Sequence, residues 1–401
     1  MQLLRSLLLL LPFVAANPIP RAEPEIIPGK YIVTFKDGVS QSDIDAHKTW
    51  VASVHQSYLA AAAGVQKSYS AGMRKTYQIN KMNAYSGVFD DKTAADIRRN
   101  PIVAAVTPDQ KVHLSSIVTQ ENATWGLGRM SGKGQNSTEY KYDSSAGHGV
   151  FVYVLDSGLN VNHVEFEGRA IFGHNAVDES PNEDLDGHGT HVAGIINSKT
   201  YGVAKRATVV GVKGFDGYSS SYESVLDAYD WIVDDIRRKH RKNKAVVTLS
   251  FSGAPYEAFD NAVRQGFAAG ITHVAAAGNS YNTTADTTPG GISEIITVGA
   301  LQQDNTRAPF SNYGQGVDIF APGDDILSLY KGSNEAIIEN SGTSAACAHV
   351  AGLIAYLMGK ERLTSPTAVA RRVFELSVPD LVKDARGSAN RIAYNGIREQ
   401  K

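Results

Sequence analysis

Three stretches of this chain hold residue types that together can cleave an acyl bond. Ser344 lies in NSGTSAACAHVAG (340–352), at the start of an apolar helical pattern that runs to about Met358. A serine at a helix N-terminus meets unpaired backbone N–H groups and the positive end of the helix dipole, which stabilise developing negative charge. Serine there is more often only a helix cap, so partners elsewhere must support a role as nucleophile.

Asp156 and His188 are the candidate partners. Asp156 ends the strand-like run of FVYVLDSG (151–158), and His188 opens a helical pattern in DGHGTHVAG (186–194). A serine hydroxyl needs a base to take its proton, and the base needs a carboxylate that fixes its tautomer. Both residues can reach one edge of a parallel sheet. Their chain order, aspartate, histidine, serine, is the subtilisin order.

On these three stretches the chain resembles the subtilases, the subtilisin-like serine proteases, over most of residues 120–400. Within that family it is similar to the secreted fungal branch that includes proteinase K. The resemblance implies that Asp156, His188 and Ser344 form a catalytic triad. It also assigns Asn279, in AAAGN (275–279), as an oxyanion donor together with the Ser344 N–H. An asparagine after glycine is otherwise more often a turn residue.

The resemblance also implies two backbone segments that hold a peptide between them as an added strand. The implied substrate-binding residues are Ser250, Phe251, Ser252, Gly253, Ser220, Tyr222 and Gly278. Relatives usually have Leu and Gly where this chain has Phe251 and Ser252, and Gly at position 220. These larger side chains are expected to narrow the cleft.

Two rival functions stay open from the sequence. This chain has Ala345 and Ala348 where relatives usually carry Met and Pro, which keeps a catalytically weakened, subtilase-fold binding protein as an alternative. The other rival is a serine hydrolase that acts on esters only. It lacks support, because no Gly-Xaa-Ser-Xaa-Gly motif occurs and the peptide-binding segments are retained.

Composition and the N-terminus predict a secreted, extracellular monomer with no nucleic-acid or membrane partner. The 401 residues carry a formal charge of −2, so no global basic surface for nucleic acid exists. Arg5, the apolar Leu7–Leu11 and the small residues 14–16 form a signal peptide, which is too short for a permanent membrane anchor. Cys347 is the single cysteine, so no intramolecular disulfide forms. Candidate glycosylation sites are Asn122, Asn136 and Asn282.

The predicted domains are a signal peptide (1–16), an inhibitory propeptide (17–116) and a peptidase domain (117–401). The propeptide reads as a small α+β unit with strands 30–35, 83–89 and 103–106 and helices 40–63 and 92–99. It resembles the inhibitory propeptide of subtilases; an ordinary retained N-terminal domain is the alternative. The stretch 114–121 lacks periodicity and reads as an exposed connection, where self-processing is expected to cut.

Strand and helix patterns alternate through the larger domain, which predicts an α/β fold with a mostly parallel sheet flanked by helices. Predicted strands are 150–155, 208–212, 245–251, 272–276, 295–298 and 317–320; predicted helices are 191–196, 221–239, 256–268 and 346–358. Protein or peptide substrates and the chain's own propeptide are the expected partners.

No cofactor is required for the expected chemistry, and a structural calcium ion is the one metal that the resemblance implies. Asp318 matches a calcium ligand of the resembling family, whose other ligands are backbone carbonyls near 293–295 and carry no sequence signature. The acidic run 178–186 reads as a solvated loop, with cation binding as the alternative. His191 and His349 are interpreted as structural.

Overall fold

The computed structural model describes residues 26–61, 72–111, 117–132, 134 and 137–397. The predicted signal peptide and Asn136 therefore lie outside the described residues. The chain divides into two compact units, Glu23–Leu114 and a larger unit containing Ser115–Lys401. No helix in the described part of the chain is long and apolar enough to cross a membrane.

The smaller unit packs two helices on a four-stranded antiparallel sheet of order β2-β3-β1-β4. Its elements are β1 (Ile26–Phe35), α1 (Gln41–Ala61), β2 (Gly72–Ile79), β3 (Met82–Val88), α2 (Asp91–Arg99) and β4 (Val103–Gln110). Helix α2 starts where it does because the Asp90 carboxylate accepts the N–H groups of Lys92 and Thr93. The small α+β fold is confirmed, although β2 was not predicted because its sequence, GMRKTYQI, is largely polar.

The larger unit is built from thirteen strands and six helices among its described residues. Its strands are β5 (Ile117–Gln120), β6 (Tyr140–Asp143), β7 (Phe151–Asp156), β8 (Ala170–Asn175), β9 (Thr208–Lys213), β10 (Ala245–Leu249), β11 (Thr272–Ala276), β12 (Ile296–Leu301), β13 (Ile319–Pro322), β14 (Ile326–Leu329), β15 (Ile337–Asn340), β16 (Val378–Pro379) and β17 (Arg391–Ile392). Its helices are α3 (Trp125–Ser131), α4 (His188–Asn197), α5 (Tyr222–Arg238), α6 (Glu257–Ala268), α7 (Thr343–Lys360) and α8 (Pro366–Leu376).

Nine of these strands form one sheet of order β16-β17-β13-β12-β11-β10-β7-β9-β8. All neighbours are parallel except β16 and β17. Side chains of β7 alternate between two cores: Val152 and Val154 face the core with α4 and α7, whereas Tyr153 and Leu155 face the core with α5 and α6. The predicted α/β architecture, a mostly parallel sheet covered on both faces, is confirmed.

Helix α7 runs through the middle of one core. Every residue from Ala345 to Met358 is buried, so this helix is apolar on all sides rather than on one stripe. Cys347 is fully buried within it.

One sequence expectation for the larger unit is wrong. Residues Ile117–Gln120 are not an irregular connection but form β5, which pairs antiparallel with β6. Residues 112–116 lie outside the described part of the chain.

Candidate active site

The site is organised around a hydrogen bond between His188 and Asp156. Asp156 ends β7 and His188 is the first residue of α4, so both lie at the carboxyl edge of the sheet. The two side chains meet with Nδ1 of the histidine 2.7 Å from Oδ1 of the aspartate. Since a carboxylate only accepts, Nδ1 carries the proton and Nε2 of the neutral imidazole is left as a base.

Charge around His188 favours its protonated form. Burial is the largest single influence and would lower the pKa of the imidazole, whereas the charge and the hydrogen bond of the adjacent Asp156 carboxylate raise it. Asp186 and Asp184 add to this effect, and together they raise the pKa of His188 to about 9. The imidazole still keeps 32% of its side-chain surface exposed, so a substrate can reach it.

The loop before His188 is held by the buried carboxylate of Asp184. Its Oδ1 accepts from the Ser157 hydroxyl and from the N–H groups of Asp186 and Gly187, and its Oδ2 accepts from the N–H and hydroxyl of Thr190. These bonds outweigh burial and lower the pKa of Asp184. The interpretation of this acidic run as a solvated loop is therefore wrong for Asp184.

Glycine is required directly before His188. Gly187 caps α4 with φ of 98°, a left-handed conformation, and a Cβ there would lie 2.4 Å from the Tyr330 ring. The Gly-His-Gly context thus has a steric cause, since the chain must turn sharply at this point to present the imidazole.

Ser344 is the second residue of α7 and lies in its first turn, as predicted. Its hydroxyl donates to the Ser250 carbonyl at 2.7 Å. Among the described residues, no hydrogen bond joins Ser344 to His188. The Ser344 N–H lies in the first turn of α7, where the helix supplies no carbonyl four residues earlier to accept its hydrogen.

Asn279 is oriented toward Ser344 by Thr343. The N–H and the hydroxyl of Thr343 both donate to Asn279 Oδ1, each at 2.8 Å, and the same hydroxyl accepts from the Gly278 N–H at 3.1 Å. Because the amide oxygen is occupied, the amide NH₂ is the group turned outward. It lies 3.4 Å from a Cβ built on Gly342, next to the start of α7.

The two predicted peptide-binding segments already make hydrogen bonds and ring contacts within the protein. Gly253 is already paired with Thr288, giving and receiving a main-chain hydrogen bond at 2.8 and 3.0 Å. Phe251 packs its ring against Phe215, with centroids 5.0 Å apart. Across from them, Ser220 donates its hydroxyl to the Gly214 carbonyl.

Tyr222 and Ser252 bring side chains into the same region. The Tyr222 ring stacks on Tyr256 at 3.9 Å, and its hydroxyl donates to the Ala254 carbonyl. The Ser252 hydroxyl lies 3.2 Å from a Cβ built on Gly278, whose φ of 100° also requires glycine. The segment after β10 and the loop after β11 therefore approach closely at Ser252.

The remaining predicted site residues lie apart from this cluster. Asp318 precedes β13, and its Oδ2 accepts the Thr297 N–H at 2.9 Å. Asn122 and Asn282 are exposed on turns. No group of three or more His, Cys, Asp or Glu side chains that could hold a metal ion occurs among the described residues. His191 and His349 are buried and bonded to the carbonyls of Ile326 and Ala345, as expected for structural residues.

Sequence reasoning missed three residues that support the site. Asp184 and Thr343 are described above, and the fully buried Lys213 donates Nζ to the Ser157 carbonyl at 2.8 Å. Of these three, only Thr343 could have been identified from the sequence, because it directly precedes the proposed nucleophile. A carboxylate in an acidic run and a lysine ending a strand give no sign of burial.

Comparisons with known proteins show which family the chain resembles. The model of the subtilase family matches residues 147–388, and that of the peptidase inhibitor I9 family matches residues 30–115. A subtilisin-like protease of Coccidioides posadasii (strain C735) is 57% identical over 403 residues, covering 100% of this chain and 98% of its own length. Subtilisin-like protease 2 of Trichophyton verrucosum is 54% identical over 417 residues, covering 100% of this chain and 99% of its own.

A solved structure shares the fold. The crystal structure of a cold-adapted subtilisin-like serine proteinase superposes with a TM-score of 0.64 at 35% identity. The match covers 69% of this chain and 99% of that one.

Proposed function

Because the chain belongs to the subtilase family and is a subtilisin-like serine endopeptidase with an I9-type propeptide domain, we propose that Asp156, His188 and Ser344 are its catalytic triad. The bond from His188 Nδ1 to Asp156 at 2.7 Å carries this proposal. It fixes the tautomer whose Nε2 can accept the serine proton.

The reaction proceeds through an acyl-enzyme. Ser344 Oγ attacks the peptide carbonyl carbon as His188 Nε2 takes its proton, and the oxyanion that forms accepts hydrogen bonds from Asn279 Nδ2 and the Ser344 N–H. The C–N bond then breaks, and His188 returns the proton to the leaving amine. Water repeats the sequence on the ester and frees the serine.

The serine must first leave the Ser250 carbonyl, to which it is bonded at 2.7 Å. A peptide lying along Ser250–Ser252 presents its own N–H groups to that edge and competes for this carbonyl. Substrate entry therefore helps turn the hydroxyl toward His188. The same bond favours one alternative function, a subtilase-fold binding protein in which the serine stays on Ser250 and does not turn over.

Labelling with a fluorophosphonate distinguishes the two functions. The proposal expects covalent modification of Ser344 in the wild-type protein, and loss of both label and peptidase activity in Ser344→Ala. Ser341→Ala is the matched control, since this exposed serine lies three residues earlier and should leave labelling unchanged. An unlabelled Ser344 in folded wild-type protein would favour the binding protein.

Self-processing follows from the same chemistry. The propeptide's C-terminal segment must lie in the cleft as a substrate, and we place the cut before Ile117, because residues 117–120 are held in the β5–β6 pair. The released propeptide then inhibits until it is degraded. N-terminal sequencing tests this: wild type should start at or before Ile117, whereas Ser344→Ala should retain the propeptide in a host without other proteases.

Secretion, glycosylation and calcium binding complete the proposal. Asn122 and Asn282 are exposed and accessible to glycosylation, which mass measurement before and after deglycosylation would test. Burial raises the pKa of Asp318 to about 6, although the Thr297 N–H and the charge of Arg391 act against it. Ca²⁺ would add positive charge beside this carboxylate, with backbone carbonyls of 293–295 as further ligands. A thermal unfolding temperature unchanged by chelator would exclude calcium at this position.

A further inference from the structure

A cavity of about 650 Å³ lies in the larger unit at the opposite edge of the sheet from Asp156. Arg169 and Thr208, which line it, stand at the amino ends of β8 and β9. At about 3.3 Å per residue, the five steps along β7 from Phe151 to Asp156 place this edge about 17 Å from the triad. We call it the basic pocket, and its charged and aromatic lining comprises Tyr142, His148, Glu167, Arg169, Lys199, Lys205 and Arg206.

Positive charge in the basic pocket exceeds the negative charge that faces it. Glu167 is shared by two cations, with Arg169 at 2.7 Å and Lys199 at 3.4 Å. In the described part of the chain, neither Lys205 nor Arg206 has a carboxylate within 4 Å. They donate instead to backbone carbonyls, those of residues 199 and 200 for Lys205 and that of residue 144 for Arg206.

Lys205 is the most unusual of these cations because only 8% of it is exposed. Its ammonium lies over the rings of Tyr140 and Tyr142, at 5.5 and 5.8 Å from their centroids. Burial lowers the pKa of Lys205 to about 7 despite the opposing charge of Glu165. Burying an ammonium away from water costs free energy, and an anion bound beside it would offset that cost.

Arg169 also has a hydrogen-bond donor, Nε, without an acceptor among the described residues. Its two terminal nitrogens are engaged with Glu167 and with the carbonyls of Glu165 and Asn197. Its Nε is buried, and no described residue accepts its hydrogen. The Glu167 side chain is 45% exposed, so it can rotate into solvent. The Arg169 guanidinium can then pair with another anion in its place.

We propose that the basic pocket binds a tetrahedral oxyanion, phosphate or sulfate, either free or as a substituent of a larger molecule. Displacement of Glu167 frees Nη1 of Arg169 to donate to an oxygen of such a group, and the ammoniums of Lys199 and Lys205 supply compact charges beside it. Glu167 acts as the internal competitor that the oxyanion displaces.

Titration calorimetry and thermal unfolding of the full chain test this, with Ser344→Ala as the background to avoid autolysis. Sodium phosphate and sodium sulfate stabilise folded proteins in general more than sodium chloride does. Their gain in unfolding temperature over chloride at equal ionic strength should therefore be larger in the parent than in Lys199→Ala. Lys199→Ala should weaken phosphate binding about tenfold, and Glu167→Gln should tighten it severalfold by removing the competitor. Lys383→Ala is the matched control, because this lysine is 58% exposed against 66% for Lys199 and likewise pairs with one carboxylate.

The gain from Glu167→Gln is the decisive result, since a merely structural role for these cations would give none. Phosphate and sulfate that stabilise no more than chloride, or a Glu167→Gln variant that binds phosphate no more tightly, would overturn the proposal. A phosphate monoester that binds more tightly than inorganic phosphate assigns the anion to a larger molecule. Weaker binding of the monoester assigns a free ion.

Discussion

Replacing Asp184 by asparagine should damage both stability and catalysis, although Asp184 is no part of the proposed triad. An asparagine can place its oxygen where Oδ1 accepts three hydrogen bonds, but its NH₂ then faces the two donors of Thr190. Hydrogen bonds to a charged group contribute about 1.5–3 kcal/mol each. Losing two therefore predicts about 3–6 kcal/mol less free energy of unfolding.

Catalysis should fall because Asp184 holds the two ends of the His188–Asp156 pair in register. The Ser157 hydroxyl donates to Asp184 and accepts from the Gly189 N–H at 3.0 Å, while the Ser157 N–H donates to Asp156 at 2.8 Å. A loosened loop misplaces the imidazole, and displacements near 1 Å can cost about a hundredfold in rate. We expect kcat to fall about 10- to 100-fold with little change in KM.

Urea unfolding in the Ser344→Ala background and steady-state kinetics in the active background measure the two effects. Asp186→Asn is the control for stability, because the Asp186 side chain accepts a single hydrogen bond from the described residues, that of the His188 N–H at 3.2 Å. It should cost about 1 kcal/mol or less. If Asp184→Asn stays within 1 kcal/mol of its parent and keeps kcat within twofold, Asp184 does not hold the site as described.

Three other outcomes are expected. His188 must be neutral to act as a base and its pKa is raised to about 9, so kcat/KM should increase with pH, with a midpoint above pH 6.5. Asp186→Asn should lower that midpoint, because it removes a nearby negative charge. Asp230→Asn, at an exposed position, is the control and should leave the midpoint unchanged. Burial lowers the pKa of three histidines, His191, His273 and His349, from 6.5 to about 4. Between pH 6.5 and pH 4 the unfolded chain therefore binds more protons than the folded chain, and the free energy of unfolding falls as the pH is lowered. Urea titrations should show a loss of up to about 3 kcal/mol per residue at pH 4, relative to the full stability above pH 6.5. Ser252→Gly should widen the gap beside Gly278. The ratio of kcat/KM for peptides with a large residue before the scissile bond to that for peptides with a small one should then rise about tenfold. An unchanged ratio would show that this substrate residue binds elsewhere.

The sequence was most informative where local pattern and burial agree. Strand β11 was predicted residue for residue, because its apolar run lies between Gly270 and Gly278, which break it on both sides. Helix α7 was predicted in place but three residues short at its start and two at its end, since the small residues before Ala346 carry no periodicity. The placement of Asp156 and His188 followed from strand and helix ends.

Other elements depend on tertiary partners that no local pattern reveals. Strand β8 was missed because its sequence, AIFGHN, is half polar and takes its shape from pairing with β9. Strand β5 is only four residues long and exists through its pairing with β6. The bond from Ser344 to the Ser250 carbonyl joins residues 94 positions apart, and sequence alone cannot show such a contact.

The burial of α7 also determines how the enzyme fails. A nucleophile on a surface loop can be lost by local fraying, which leaves the rest of the molecule folded. Ser344 instead begins a helix buried from Ala345 to Met358, so the helix that carries it can be released only when the surrounding core opens. Without any disulfide to retain a partly opened form, loss of activity on heating should coincide with global unfolding, and amide hydrogens of α7 should exchange among the slowest in the protein.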